Sequence, residues 1–273
     1  MSQFVDTHCH IQSAGGDGGE RTTAGLWAKA PDISASEIIE AANEAGVSRL
    51  ICVGCDVPDS QLAVSFASKQ AHCRASIGIH PHEAKLYVDN DAELAAFAAL
   101  ATDPAVVAVG ECGLDFYYNH SPKSDQEKLL RYQIELALKH DLPIIFHVRE
   151  AFDDFWPIFE SYEGIRGVLH SFTDSLSNME KAIEKGLYIG VNGIATFAKD
   201  PDQLAVYKAI PLANLLLETD APFLAPVPHR GKTNEPKYIP AIATFLSELR
   251  GESVTQIAKS TTNNAKKLFG DLA

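Results

Sequence analysis

Residues 5–10 read "VDTHCH". Side chains alternate faces along a β-strand, so a strand here sends Asp6, His8 and His10 to one side. That side holds either a metal or a polar patch, and the rest of the chain decides between them.

The stretch is the first of a series. Short apolar, β-rich runs recur as "FVDTHC", "RLICVGC", "RASIGIH", "VVAVGEC", "PIIFHV", "GVLHSF", "LYIGVNG" and "NLLLETD". Helical patterns lie between them. "ISASEIIEAANEAG" begins with serine caps and stops at Gly46. "DAELAAFAALATD" and "SDQEKLLRYQIELALKHD" carry apolar residues at three-to-four spacing, and "SNMEKAIEKG", "YIPAIATFLSELRG" and "SVTQIAKSTTNNAKKLFG" follow. Strands alternating with helices predict a parallel sheet with crossovers. About eight nearly continuous apolar strands favour a closed (β/α)8 TIM barrel over a doubly wound open sheet. No GxGxxG follows the first strand, which weakens the dinucleotide version of that rival. With no linker or composition shift, residues 1–273 read as one domain. Residues 12–32, "QSAGGDGGERTTAGLWAKAPD", read as a Gly-rich loop longer than the usual βα connection.

Composition narrows the function. A chain 46% hydrophobic and 22% charged has ample material for a globular core. A formal net charge of -13 excludes a surface that coats nucleic acid in general, so a polyanionic substrate needs metal ions or a few placed cations. Five unevenly spaced cysteines argue against a disulfide framework. Cys52 and Cys55 form a CxxC, but inside an apolar run that reads as a buried strand entering its loop rather than a redox or zinc site. No signal peptide or membrane span is expected, and the default location is a reducing cytoplasm.

Metal-competent residues stand where the predicted strands end: His8 and His10 on the first, His80 on the third, Glu111 on the fourth, His147 on the fifth, His170 on the sixth and Asp220 on the eighth. In a barrel these ends share one rim. A lone strand-end histidine is more often a hydrogen-bonded structural residue than a ligand. Four of these histidines (His8, His10, His147 and His170) and two carboxylates together on one rim are different, because they leave repulsive or unsatisfied groups unless a cation sits among them. Such a set suits Zn, Mn, Fe, Co or Mg; it is too large for one zinc with an open position and fits two metals sharing a carboxylate. Residues 225–236, "APVPHRGKTNEP", add Arg230, Lys232 and Asn234 in a loop after the last strand, where barrels often grip phosphate. Arg149 adds to the same positive patch.

The motifs "DTHCH", "GIHPH", "GECGLDFYY", "FHVRE", "LHSFT", "ETDAPFLAP" and "PHRGKTNEP" resemble, in order, those of the TatD family of metal-dependent hydrolases among the amidohydrolase-like barrels. The long insert after His10 departs from the family's shorter loop. The resemblance implies a divalent-metal-dependent deoxyribonuclease, working from the 3′ end of single strands, with two divalent ions (Mg, Mn or Zn). It implies that His8, His10, Glu111 and Asp220 hold one ion, and that Glu111, His147 and His170 hold the other. Asp220 is expected to orient the attacking water and take its proton, Arg230 and Lys232 to hold phosphate, and His80 to reach a phosphate oxygen. Asp6 is expected to orient a histidine. The expected partner is DNA or another nucleic acid, with no membrane involved. The alternatives are an ester or amide hydrolase, such as a D-aminoacyl-tRNA deacylase, and a non-catalytic nucleic-acid-binding scaffold.

Overall fold

The computed structural model describes residues 3–16, 23–29, 33–270 and 272. Eight strands form one parallel sheet in chain order: β1 (Phe4–Cys9), β2 (Val47–Val53), β3 (Cys73–Ile77), β4 (Val106–Asp115), β5 (Ile144–Arg149), β6 (Gly167–Leu169), β7 (Tyr188–Val191) and β8 (Leu215–Leu217). The loop after β8 closes the ring against β1. Asp220 N donates to His8 O at 2.8 Å, His10 N donates to Ala221 O at 2.8 Å, and the Thr7 hydroxyl donates to Leu217 O. The architecture is a (β/α)8 barrel, as the strand count predicts.

Two apolar layers follow from strand alternation. Val5, Ile51, Val53, Ala108, Ile145, Val168 and Leu216 form an inner cluster, joined by Leu268, Phe269 and Leu272 at the chain's end. Outward-facing residues such as Cys52, Ile77, Phe146 and Leu217 pack against the helices. The interior is therefore filled with side chains, and its polar mouth lies above them.

The predicted helices form, at Ala35–Glu44, Asp91–Leu100, Lys123–Lys139, Leu176–Glu184, Ile239–Arg250 and Val254–Phe269. Ser34 with Glu37, and Ser253 with Gln256, make reciprocal caps. The structure adds further helices, including Val57–Ala67, Phe152–Phe159 and Pro201–Ala209. It also corrects the long loop: Thr23–Trp27 is a short helix, and the Trp27 indole donates to His10 O at 3.0 Å. The remainder of that expected loop, 17–22 and 30–32, lies outside the described residues. Several strands are shorter than their apolar runs. His80, His170 and Asp220 consequently stand in the loops just past β3, β6 and β8. Among the described residues no helix is long and apolar enough to cross a membrane.

Candidate metal centre

His8 and His10 meet as strand alternation predicts, with Nε2 atoms 3.3 Å apart. Asp6 does not join them. The β1 register is irregular between Asp6 and Cys9, and Asp6 turns to the β8 loop. Its carboxylate accepts from the Thr219 amide, the Thr219 hydroxyl and the His8 amide. Burial pushes its pKa up to about 7, against the pull of those donors. Asp6 thus orients no histidine ring. It ties β1 to the turn that presents Asp220.

Glu111 lies between two sets of donors. Its Oε2 is 3.4 Å from His8 Nε2, and Asp220 Oδ1 lies 3.3 Å from His10 Nε2 and 3.7 Å from His8 Nε2. Its Oε1 is 2.8 Å from His147 Nδ1 and 3.7 Å from His170 Nε2 and from His80 Nε2. The residues named from strand ends are therefore brought together across the barrel mouth.

The outer hydrogen bonds of each imidazole set which nitrogen faces the centre with a lone pair. His10 Nδ1 faces Val53 O at 2.7 Å, so it carries the proton and Nε2 is free. His147 Nε2 faces Asp115 Oδ2 at 3.0 Å, so it carries the proton of the neutral ring, and Nδ1, 2.8 Å from Glu111 Oε1, is the nitrogen turned to the centre. His170 Nδ1 lies 2.9 Å from Glu218 Oε1, close though poorly aligned, which leaves Nε2 free. His80 is the reverse. Its Nδ1 accepts from the His82 amide at 3.1 Å, so its inward Nε2 carries a proton and is a donor. His8 Nδ1 is buried without a hydrogen-bond partner among the described residues.

This donor set fits divalent cations. Unshared pairs of His8 and His10 face each other and two carboxylates across short distances, an arrangement that only a proton or a cation relieves. Burial pushes the Glu111 carboxyl upward, but the imidazole of His170, with hydrogen bonds from His147 and His8, outweighs it and holds it well below the carboxylate range. Burial pushes His147 and His170 down. Asp115 and Glu111 raise His147 to about 9, and Glu218 and Glu111 raise His170 to about 9. Without a metal, protons supply the missing positive charge. His80, lowered by burial and by neighbouring His147, stays neutral.

Two carboxylates, Asp115 and Glu218, escape the sequence reading. Asp115, fully buried at the end of β4, accepts from His147 and His82 at 3.0 Å each through Oδ2. Glu218 holds His170, and Gly190 makes room for it, because a Cβ there would meet Glu218 Oε2 at 2.5 Å. Gly113 likewise lets β4 approach the His147 backbone, where a Cβ would meet His147 O at 1.8 Å. Cys55 reaches the centre from below, its Sγ 3.9 Å from His10 Nδ1 and 4.0 Å from Glu111 Oε2. Burial pushes that thiol up to about 12. Cys52 packs instead in the outer layer with Cys9 and Cys73, so the two halves of the CxxC occupy different surroundings. The signal for Asp115 and Glu218 was present in the quoted runs "GLDF" and "LLLETD", as carboxylates at strand ends.

The cationic residues stay outside the cluster. Arg230 lies over the Phe197 ring, 3.6 Å from its centroid. Lys232 is exposed and lines an open cavity of about 550 Å³ with Leu26, Lys29, Pro222 and Tyr238. Arg149 lies over Tyr117 and Tyr118, at 4.1 and 4.8 Å. Buried Asn234 donates to Thr219 O and Phe223 O, folding the Arg230 loop back onto the Asp220 turn. The loop is anchored beside the centre, though neither Arg230 nor Lys232 touches it.

Known proteins share this arrangement of chain. The family model for TatD related DNase matches residues 5–270. The chain belongs to the TatD family. It is 38% identical over 250 residues to the Bacillus subtilis protein YabD, an uncharacterized metal-dependent hydrolase, covering 91% of this chain and 97% of that one. It is 36% identical over 241 residues to the 3'-5' ssDNA/RNA exonuclease TatD of Klebsiella pneumoniae, covering 86% and 91%. The crystal structure of the TatD homolog YJJV from Escherichia coli superposes with a TM-score of 0.86 at 29% identity, covering 99% of each chain. TatD proteins are metal-dependent hydrolases, and the clustered histidines and carboxylates of this chain are candidate metal-holding groups.

Proposed function

We propose that this chain is a two-metal nuclease that removes nucleotides from the 3′ end of single-stranded DNA, working in the cytoplasm as one barrel domain. The observation that carries the reading is Glu111, whose two oxygens face two separate donor sets. His8, His10 and Asp220 would hold one ion with Glu111, and His147 and His170 the other. Bound divalent ions supply an activated water and neutralise charge on the phosphate. Asp220, held below the usual carboxylate range by the imidazoles of His10, His170 and His8 against the effect of burial, is ionised and can take the water's proton. His80 presents Nε2–H to a phosphate oxygen. Arg230, Lys232 and Arg149 receive the strand's neighbouring phosphates. The names of the Klebsiella and other TatD relatives as 3'-5' ssDNA/RNA exonucleases support the substrate class.

The test is a substrate panel with metal-stripped protein reloaded with Mg, Mn or Zn: end-labelled single- and double-stranded DNA, RNA, and D-aminoacyl-tRNA. Metal-dependent shortening of single strands from the 3′ end is expected. Release of amino acid from D-aminoacyl-tRNA with strands intact would replace the reading by a deacylase. A metal-replete protein inert on the whole panel would leave a non-catalytic scaffold.

A further inference from the structure

Beside the candidate centre is an aromatic surface that the hydrolytic chemistry does not use. Tyr117 and Tyr118 are 53% and 50% exposed, two large adjacent rings in water directly after β4. Their rings meet edge to face at 4.8 Å, and His120 stacks parallel to Tyr118, 5.6 Å away with 5° between planes. Their backbone is fixed from below. Asp115 Oδ1 accepts from both tyrosine amides, at 3.1 and 2.9 Å, while its other oxygen holds His147 and His82. Phe116, between Asp115 and the tyrosines in the chain, packs against the core. One carboxylate therefore sets both the exposed rings and a residue of the centre.

A line of rings connects the two. His147 meets His80 at 4.5 Å, His80 meets His82 at 4.3 Å, and His82 meets Tyr118 at 5.5 Å. Arg149 lies over the tyrosines and adds a cation at the same edge. A chain with net charge -13 gains little from general coulombic attraction to a polyanion. Aromatic faces bind bases whatever their sequence and without opposing the protein's charge.

We propose that Tyr117 and Tyr118 form a stacking platform for a base of the single strand, next to the nucleotide whose phosphate enters the centre. Arg149 supplies the accompanying phosphate contact. The proposal rests on the nuclease reading and specifies where the strand lies. It assigns the platform to unpaired bases, since a duplex keeps its base faces covered.

The experiment measures binding of end-labelled single-stranded oligonucleotides to the metal-loaded native protein, the strands carrying non-hydrolysable phosphorothioate linkages at their 3′ end so that they are not consumed. The strands are intact or carry one abasic residue at each of the last few 3′ positions in turn. An abasic residue at the platform position is expected to weaken binding roughly fivefold to a hundredfold, the range for loss of one base–aromatic stack. Tyr117→Ala and Tyr118→Ala should bind intact strands more weakly and no longer distinguish them from that abasic strand. Tyr117→Phe and Tyr118→Phe keep the ring face and should restore the distinction. Indifference of the native protein to every abasic position overturns the platform, as does undiminished discrimination in the alanine variants. If metal-loaded protein shortens unmodified strands while binding ignores abasic sites, the platform alone fails. If it neither binds nor shortens any strand yet hydrolyses D-aminoacyl-tRNA, the nuclease reading fails and the platform with it.

Discussion

Asp115→Asn separates the orientation of His147 from its presence. The carboxylate accepts four hydrogen bonds, two from tyrosine amides at Oδ1 and two from imidazoles at Oδ2. Asparagine has the same shape but one accepting oxygen. If that oxygen keeps the amides, its NH2 faces His147 Nε2, which now carries a proton: donor against donor. His147 relieves this by moving its proton to Nδ1, and the lone pair that faces Glu111 and the centre is lost. Losing the partner of a ligating histidine lowers metal affinity about 10- to 100-fold, or about 1.4–2.7 kcal/mol. The loss should fall on the ion held by His147 and His170, leaving the ion at His8, His10 and Asp220 in place. At limiting metal the variant should bind one ion where the native protein binds two. Calorimetric metal titration reads the stoichiometry, and nitrogen NMR of the imidazoles reads the tautomer. Two ions bound with native affinities, or a His147 that keeps its Nε2 proton, would refute the reasoning.

Glu111→Ala should lose metal at both positions and cut the hydrolytic rate roughly a hundredfold or more, since it removes a shared ligand; elemental analysis showing two ions and full activity would end the dinuclear reading. His8→Ala and His10→Ala should weaken metal binding in titrations while Thr7→Ala should not, because Thr7 bonds Leu217 O and faces away; the Thr7 variant should show only a stability loss of about 1 kcal/mol. Arg230→Ala and Lys232→Ala should raise KM for oligonucleotides and flatten its salt dependence without changing metal content; an unchanged salt slope would make the loop a plain surface turn. Metal uptake near neutral pH should release protons, because His147 and His170 sit at about 9 without metal and must lose a proton to ligate. Affinity should therefore climb with pH until about 9, as calorimetry in buffers of different ionisation enthalpy will report. The stability these raised histidines give the metal-free fold is fully present below about 6.5 and is lost as pH rises through about 9, so thermal melts of stripped protein should weaken across that window.

The barrel and the convergence of His8, His10, Glu111, His147, His170 and Asp220 were legible because both depend on one periodic property. Parallel strands all point their C-terminal ends to one rim, so an apolar run followed by a ligand-type residue locates that residue in space. What depends on pairing across the barrel was not legible. Asp115 and His147 are 32 positions apart and meet because β4 and β5 are paired in register, with Asp115 opposite Arg149. Asp6 broke the alternation rule because a register irregularity in β1 turned it toward Thr219. The helix Thr23–Trp27 was hidden by its glycine-rich surroundings, and its role came from one indole bond to the backbone of His10.

The centre alone does not select the scissile bond, because phosphodiester and carboxylic ester hydrolysis both begin with an activated water. Selection has to come from the rim, and the rim here is built in a consistent way. Arg230 and Arg149 each lie with the guanidinium over an aromatic ring. A ring face beneath a guanidinium restrains it by cation–π attraction; Arg230 donates one N–H to Ala225 O at 3.5 Å, and its remaining donors are the ones that could meet a phosphate in plane. Two such cations, one at the end of β5 and one in the loop after β8, would suit a linear chain of phosphates better than a single acyl group. On the nuclease reading proposed above, an acidic protein that places rim cations this way would confine a polyanion to one path across the barrel mouth, with the exposed tyrosines beside Arg149 on that path.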